Sequence, residues 1–190
     1  MKLVIVSVVI VLLCLNVAAQ RRFEFQAGYG MYSYDVVTNE IREQGNALPN
    51  LTHKGSYFLT TRYALSYRFL LGITVNHYRM ERSYPYTPEK IRATGFAPDF
   101  AWYYNTEGLI RTYMSGATGV TWIYHVGEYP KSHSQRGEFR GWQKDIFFHY
   151  SPIGVQVGRS FGLFTELGIG NKGLLNFGLF YKPQVQVVHR

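Results

Sequence analysis

An export signal, about eight segments of period-2 alternation and connections of unequal length predict the fold class. The chain reads as all-β, an eight-stranded antiparallel up-and-down transmembrane β-barrel. Alternation supplies the strands. The connections supply their orientation. Ionisable residues on one face decide which way that face looks.

The first element is the signal. Lys2 is followed by an apolar run from Leu3 to Leu15, and Val17-Ala18-Ala19 offers small residues for a signal peptidase. The run is short of the ~20 residues that span a bilayer as a helix. Cys14 follows the large Leu13, which disfavours a lipidated start. It is the only cysteine and would leave with the signal, so the exported chain has no disulfide framework. The expected organisation is a signal peptide over 1–19, a barrel domain over 20–183 and a short C-terminal tail over 184–190. Aromatic residues make up 17% of the chain, with 16 tyrosines and 19 glycines, a composition that fits aromatic-girdled strands with one crowded face. The formal charge of +8 is scattered along an exported chain, which points to an anionic lipid surface and away from nucleic acid.

The strands follow in order. The first sets Phe23, Phe25, Ala27, Tyr29 and Met31 against Glu24, Gln26, Gly28 and Gly30. The second sets Tyr57, Leu59, Tyr63, Leu65 and Tyr67 against Thr60, Arg62, Ala64, Ser66 and Arg68. The third sets Leu71, Ile73 and Val75 against Gly72, Thr74 and Asn76. In the fourth, Phe100, Trp102 and Tyr104 oppose Asp99, Ala101 and Tyr103, with Pro98 marking a start or a bulge. In the fifth, Ile110, Thr112, Met114, Val120 and Trp122 oppose Arg111, Tyr113, Ser115, Ala117 and Gly119. The sixth sets Ile153, Val155 and Val157 against Gly154, Gln156 and Gly158, with a bulge at Pro152. The seventh sets Leu163, Leu167 and Ile169 against Phe164, Glu166, Gly168 and Gly170. The eighth sets Leu175, Phe177, Leu179 and Tyr181 against Asn176, Gly178 and Phe180.

Hairpin-length turns fall around Arg68–Leu70, Asn105–Gly108 and Arg159–Phe161. Long connections are expected over Ser33–Lys54, Arg79–Gly95 and Val126–Lys144. The last connection, Asn171-Lys172-Gly173, is short. Long loops on one side and tight turns on the other are the outer-membrane pattern, with the tight turns and both termini periplasmic.

The polar face carries Glu24, Arg62, Asp99, Arg111 and Glu166 near mid-strand, with both signs present. In a narrow eight-stranded barrel these would pair inside the lumen as a structural polar network, which turns the apolar face outward. Aromatics bracket that face: Tyr32, Tyr57, Trp122 and Tyr124 on the loop side, Tyr67, Tyr104, Phe161 and Tyr181 on the turn side. A secreted soluble ligand-binding barrel would be arranged the other way, apolar inside and polar outside.

No Walker loop, zinc-ligand cluster, CxxC or Gly-x-Ser-x-Gly is present, so no catalytic, cofactor or metal residue is assigned. Gly168-x-Gly170-x-x-Gly173 matches a dinucleotide fingerprint in spacing but opens no helix. His149-Tyr150-Ser151, with Glu166 on the next strand, resembles the His-x-Ser element of the lipid A deacylase barrels, although Pro152 stands where that family has Asn. Without a bulge, His149 and Ser151 would share the Ile153 face, opposite Glu166. The second and third long connections are rich in Arg79, Arg82, Lys90 and Arg92, and in Lys131, Arg136, Arg140 and Lys144. Such residues suit anionic lipopolysaccharide headgroups.

The run Ser151-Pro152-Ile153-Gly154-Val155-Gln156-Val157-Gly158-Arg159 continues through Thr165-Glu166-Leu167-Gly168-Ile169-Gly170-Asn171-Lys172-Gly173 to Gly178-Leu179. It resembles the C-terminal half of small outer-membrane β-barrel proteins of Bacteroidetes type, and Arg111-Thr112-Tyr113-Met114-Ser115-Gly116 resembles their middle. The resemblance implies an OmpA/OmpX-like barrel with no family catalytic residues to transfer. It also implies a terminal aromatic strand, matched by Phe177-x-Leu179-x-Tyr181, that engages the barrel-assembly machinery. The sequence thus predicts a non-enzymatic, monomeric outer-membrane barrel with an envelope-structural or surface-contact role. Its partners would be outer-membrane lipid, lipopolysaccharide and the assembly machinery, with no cofactor. A lipid A deacylase-like barrel and the soluble barrel are the alternatives.

Overall fold

A computed structural model describes residues 23–32, 50–84, 87–128 and 138–183. The signal segment, the 184–190 tail and the middles of the first and third long connections lie outside the described residues. The chain is a closed antiparallel barrel in which each strand pairs with its sequence neighbours and β1 closes on β8. The strands are β1 (Phe23–Met31), β2 (Asn50–Ala64), β3 (Phe69–Tyr84), β4 (Thr87–Tyr103), β5 (Ile110–Glu128), β6 (Glu138–Gly158), β7 (Phe161–Gly170) and β8 (Leu175–Tyr181). Where β1 and β8 close the barrel, the ladder satisfies the backbone polar groups internally; above the Gly30↔Ser56 and His149↔Gly170 pairs, β2 and β6 run on beyond their β1 and β7 partners.

The alternation resolves as expected over the lower half of the strands except at the end of β2, where Leu65, Ser66, Tyr67 and Arg68, expected to continue the strand, form the exposed turn and Phe69 already opens β3. Glu24, Gln26, Thr60, Arg62, Thr74, Asn76, Asp99, Gln156 and Glu166 are buried inside. Outside, the large apolar side chains stand exposed, among them Leu59 at 65%, Ile146 at 72% and Leu163 at 63%. The inside is filled by aromatic rings as well as polar groups. Phe58, Phe164 and Phe180 form one buried cluster, and Tyr103 packs against Tyr113 with ring centroids 5.2 Å apart. Glycines make room for these rings: a Cβ at Gly154 would stand 2.5 Å from the Tyr113 ring across the β5–β6 pair.

The connection expected over Arg79–Gly95 is instead the upper half of a β-hairpin. β3 and β4 pair without interruption from Phe69↔Trp102 to Tyr84↔Thr87. The strands β5 and β6 likewise run on to Glu128↔Glu138. The reason lies in the phase of the pattern. In the upper hairpin Tyr78, Met80, Ile91 and Ala93 are buried, whereas Arg79, Glu81, Lys90 and Arg92 are exposed. Apolar-in and charged-out is the reverse of the pattern below. The two halves share one strand but face different surroundings, and the switch in phase makes the upper half look like a loop.

The two prolines read as breaks, Pro98 and Pro152, both sit in strands. Pro152 marks the expected bulge, with the β6–β7 register shifting between Tyr150 and Ile153. Pro98 departs from expectation. It lies in the middle of β4, opposite Ile73, with no shift in register. The β4–β5 ladder omits only Ala97 and Pro98, where the proline has no N–H to give.

Candidate functional site: an ionic column in the lumen

Four of the five residues read as a polar network share one buried cluster. Arg62 is central and 0% exposed. Its Nε donates to Asp99 Oδ1, its Nη1 donates to Glu24 Oε1 at 3.2 Å, and its Nη2 lies 3.9 Å from Glu166 Oε1. The register explains the meeting: Arg62 pairs with Glu24 on one side and with Gly72 on the other, and Gly72 in turn pairs with Asp99. The guanidinium therefore leans across a position that has no side chain.

Each carboxylate has further donors. Glu24 accepts from Tyr103 Oη at 2.6 Å, Gln26 Nε2 at 2.9 Å and Gln156 Nε2 at 3.2 Å. Asp99 Oδ2 accepts from Thr74 Oγ1 at 3.2 Å. Glu166 Oε1 accepts from Tyr113 Oη at 2.8 Å and Ser115 Oγ at 3.2 Å. Buried charges persist only when paired and hydrogen-bonded, and these are both.

Two cations that the alternation did not place complete the column. Lys172, on the β7–β8 turn, folds inward and is 0% exposed, with Nζ 3.1 Å from Asp99 Oδ2 and 5.1 Å from the Phe58 ring centroid. The turn is anchored there by Asn171, whose Oδ1 accepts from Phe148 N at 2.7 Å and whose carbonyl accepts from Asn76 Nδ2 at 3.2 Å. At the opposite end Lys182, just past β8, reaches Glu24 Oε2 at 2.6 Å. Among the described residues the order along the lumen is Lys172, Asp99, Arg62, Glu24, Lys182, with Glu166 beside Arg62. Charges of opposite sign alternate, and each end is closed by a lysine.

Arg111 does not join the carboxylates. It is half-buried at the turn-side rim, where Nη2 donates to the carbonyls of Gly158 at 2.9 Å and Arg159 at 3.0 Å and the guanidinium lies over the Phe180 ring. There it closes the β6–β7 turn. The adjacent mouth is a cavity of about 210 Å³ lined by Glu24, Tyr103, Arg111 and Lys182.

The Pro152 bulge changes the histidine–serine arrangement. It brings His149 and Ser151 onto the inward face with Glu166, and His149 Nε2 lies 3.8 Å from Glu166 Oε2. The hydroxyl is committed elsewhere. Ser151 Oγ lies 2.8 Å from the Leu167 carbonyl and 3.1 Å from that of Ile153, which share its one proton as acceptors. All three side chains are buried inside the barrel wall, on the side away from any surrounding lipid. The bulge therefore creates the proximity, inside a buried setting.

Lys172→Met is expected to lower folded stability by about 1–3 kcal/mol, because Asp99 keeps Arg62 and Thr74 but loses one charge-assisted partner. Urea unfolding in detergent measures it. A variant as stable as the parent would mean that the turn lysine is a spectator.

No family model matches the sequence, and no curated protein matches it. Among solved structures, the chain is similar to the N-terminal β-barrel domain of OprF from Pseudomonas aeruginosa, at 13% identity and a TM-score of 0.49. The match covers 85% of this chain and 97% of that one.

Proposed function

We propose that this protein is a non-enzymatic integral outer-membrane β-barrel with an envelope-structural or surface-contact role, of the small OmpA/OmpX-like kind. One observation carries the reading: a belt of exposed apolar side chains surrounds an interior that is ionic. Ile73, Phe96, Val120, Ile146, Leu163 and Leu167 all face outward and are exposed. A monomeric soluble protein rarely leaves so continuous an apolar surface in water. Tyr57 at 62%, Tyr67 at 73% and Phe161 at 61% exposure edge the belt, as interfacial aromatics do. A soluble ligand-binding barrel would need the opposite assignment of faces.

The partners on this reading are outer-membrane lipid, lipopolysaccharide and the barrel-assembly machinery, and the barrel is a monomer. The surface-contact role falls to the two hairpins β3–β4 and β5–β6. Strands of 16, 17, 19 and 21 residues exceed the ~9–11 that a bilayer requires. Heat-modifiable migration tests the reading: the protein extracted from the membrane fraction in detergent should run faster unheated than boiled. A protein found in the soluble fraction, with one band regardless of heating, would overturn it.

The second reading, lipid A deacylation, rests on the convergence of His149, Ser151 and Glu166. The commitment of the serine hydroxyl to backbone carbonyls opposes it. Cells carrying Ser151→Ala are expected to contain the same lipid A species as the parent by mass spectrometry. A gain of acyl chains in the variant would revive the enzyme.

A further inference from the structure

We infer that the outer wall formed by β3–β6 holds one phosphorylated lipid A headgroup of lipopolysaccharide, with an acyl chain lying in a groove below it. The inference rests on the outer-membrane reading above, and it follows from the register of four strands. One outward row consists of Arg79, Arg92, Tyr124 and Trp142 on successive strands. The row beneath is His77, Thr94, Trp122 and Lys144. The next is Val75, Phe96, Val120 and Ile146, wholly apolar.

Arg79 and Arg92 stand directly opposite each other, and both are exposed. Like charges in that position destabilise a strand pair unless an anion joins them. No carboxylate stands in that row; the outward Glu81, in the row above and opposite Lys90, is the carboxylate next to it, one negative charge beside three positive ones. His77 steadies the pair: its Nε2 accepts from Arg79 Nε at 3.4 Å, and its Nδ1 lies 3.0 Å from Thr94 Oγ1. Two adjacent guanidinium forks match the oxygens of a phosphate. Tyr124 and Trp142 pack against each other with centroids 4.7 Å apart and planes tilted by 40°, and Trp142 is 74% exposed. The exposed indole of Trp142, two strands from Arg92 in the same row, offers a face for a sugar ring, which favours a phosphorylated glycolipid over a phospholipid.

The height fits as well. From Trp102, near the turn-side edge of the belt, to Arg92 is about 33 Å of strand, or about 25 Å along the axis at the usual tilt, the height of an outer-membrane apolar band. The arginine row is therefore at headgroup level. Below it, in the same strands, Gly116 and Thr118 leave a groove of about 540 Å³ walled by Pro98, Phe100, Phe148 and Tyr150. Arg92 is about 20 Å along β4 from Pro98, about one leaflet's depth after tilt.

The test is native mass spectrometry of the refolded barrel in detergent, titrated separately with bis-phosphorylated lipid A, dephosphorylated lipid A and phosphatidylglycerol. The parent should retain one bis-phosphorylated lipid A in preference to the other two. Arg79→Gln/Arg92→Gln should weaken that binding by on the order of tenfold or more. Thr118→Trp, which fills the groove, should weaken it while leaving the arginines in place. Heat-modifiable migration establishes that each variant is folded. Equal binding of dephosphorylated lipid A or of phosphatidylglycerol would overturn the site as a phosphorylated-glycolipid site. So would a folded double-arginine variant that binds as the parent does, and an unaffected Thr118→Trp would overturn the acyl groove. A folded barrel that fails to discriminate overturns this inference alone. A chain that never forms a heat-modifiable barrel overturns the outer-membrane reading with it.

Discussion

Arg62→Met is expected to destabilise the barrel by about 3–5 kcal/mol, read as a lower urea midpoint with an unchanged slope. Methionine nearly preserves the buried volume, so the loss is electrostatic. The guanidinium is the one cation within 4 Å of all three lumen carboxylates among the described residues. Without it Glu24 retains Lys182 and Asp99 retains Lys172, but Glu166 is left with hydroxyl donors and His149. Three carboxylates would then share a low-dielectric interior with two lysines at its ends. Removing the charge of the carboxylate that loses its cation should restore part of the loss, so Arg62→Met/Glu166→Gln should be more stable than Arg62→Met alone. If the double variant is no better, the damage is one of packing and the ionic column is not what holds the lumen. A single-variant loss below about 1 kcal/mol would place Arg62 among ordinary surface pairs.

The lower half of the barrel was legible because one boundary, an apolar exterior around a filled polar lumen, acts on the strands with the same phase. Phe25 and Glu24, or Leu167 and Glu166, each announce their face. The upper hairpins were not legible for the complementary reason. Past Val75 and Phe96 the outside carries His77, Arg79 and Arg92, while Met80 and Ile91 turn inward. A pattern search locked to one phase therefore reads the switch as the end of a strand. Lys172 escaped because turns are read as solvated, yet the charges held a clue. Glu24, Asp99 and Glu166 outnumber Arg62 and Arg111, and Arg111 spends its donors on turn carbonyls. A buried lumen with three carboxylates needs more cations than the described strands provide, and the β7–β8 turn and the end of β8 supply them. The Pro152 bulge was visible as a proline within an alternating run. Its consequence, the inward rotation of His149 and Ser151, was not, because a one-residue slip moves every side chain beyond it to the other face.

Gly72→Val tests the same column through the backbone instead of the charges, and it is expected to cost about 3 kcal/mol or more, enough to suppress the heat-modifiable form. Gly72 lies between Arg62 and Asp99 in one inward row, and the guanidinium crosses above it. A Cβ built there would press on the Thr61 carbonyl and stand 2.7 Å from Arg62 Cα. These are backbone atoms of the neighbouring strand, so β2 and β3 would have to separate and the ion pair would lengthen with them. Gly141→Val is the control, since a Cβ at that exposed β6 position meets nothing within 4 Å, and its effect should stay within about 0.5 kcal/mol. The two kinds of damage can be separated by a double-mutant cycle. If Gly72 serves the path of the guanidinium, the valine should cost less in the Arg62→Met background than in the parent, by about 1 kcal/mol or more. If the two losses simply add, the glycine answers only to the close approach of β2 and β3, and the row from Glu24 through Arg62 to Asp99 is held by charge without help from the missing side chain.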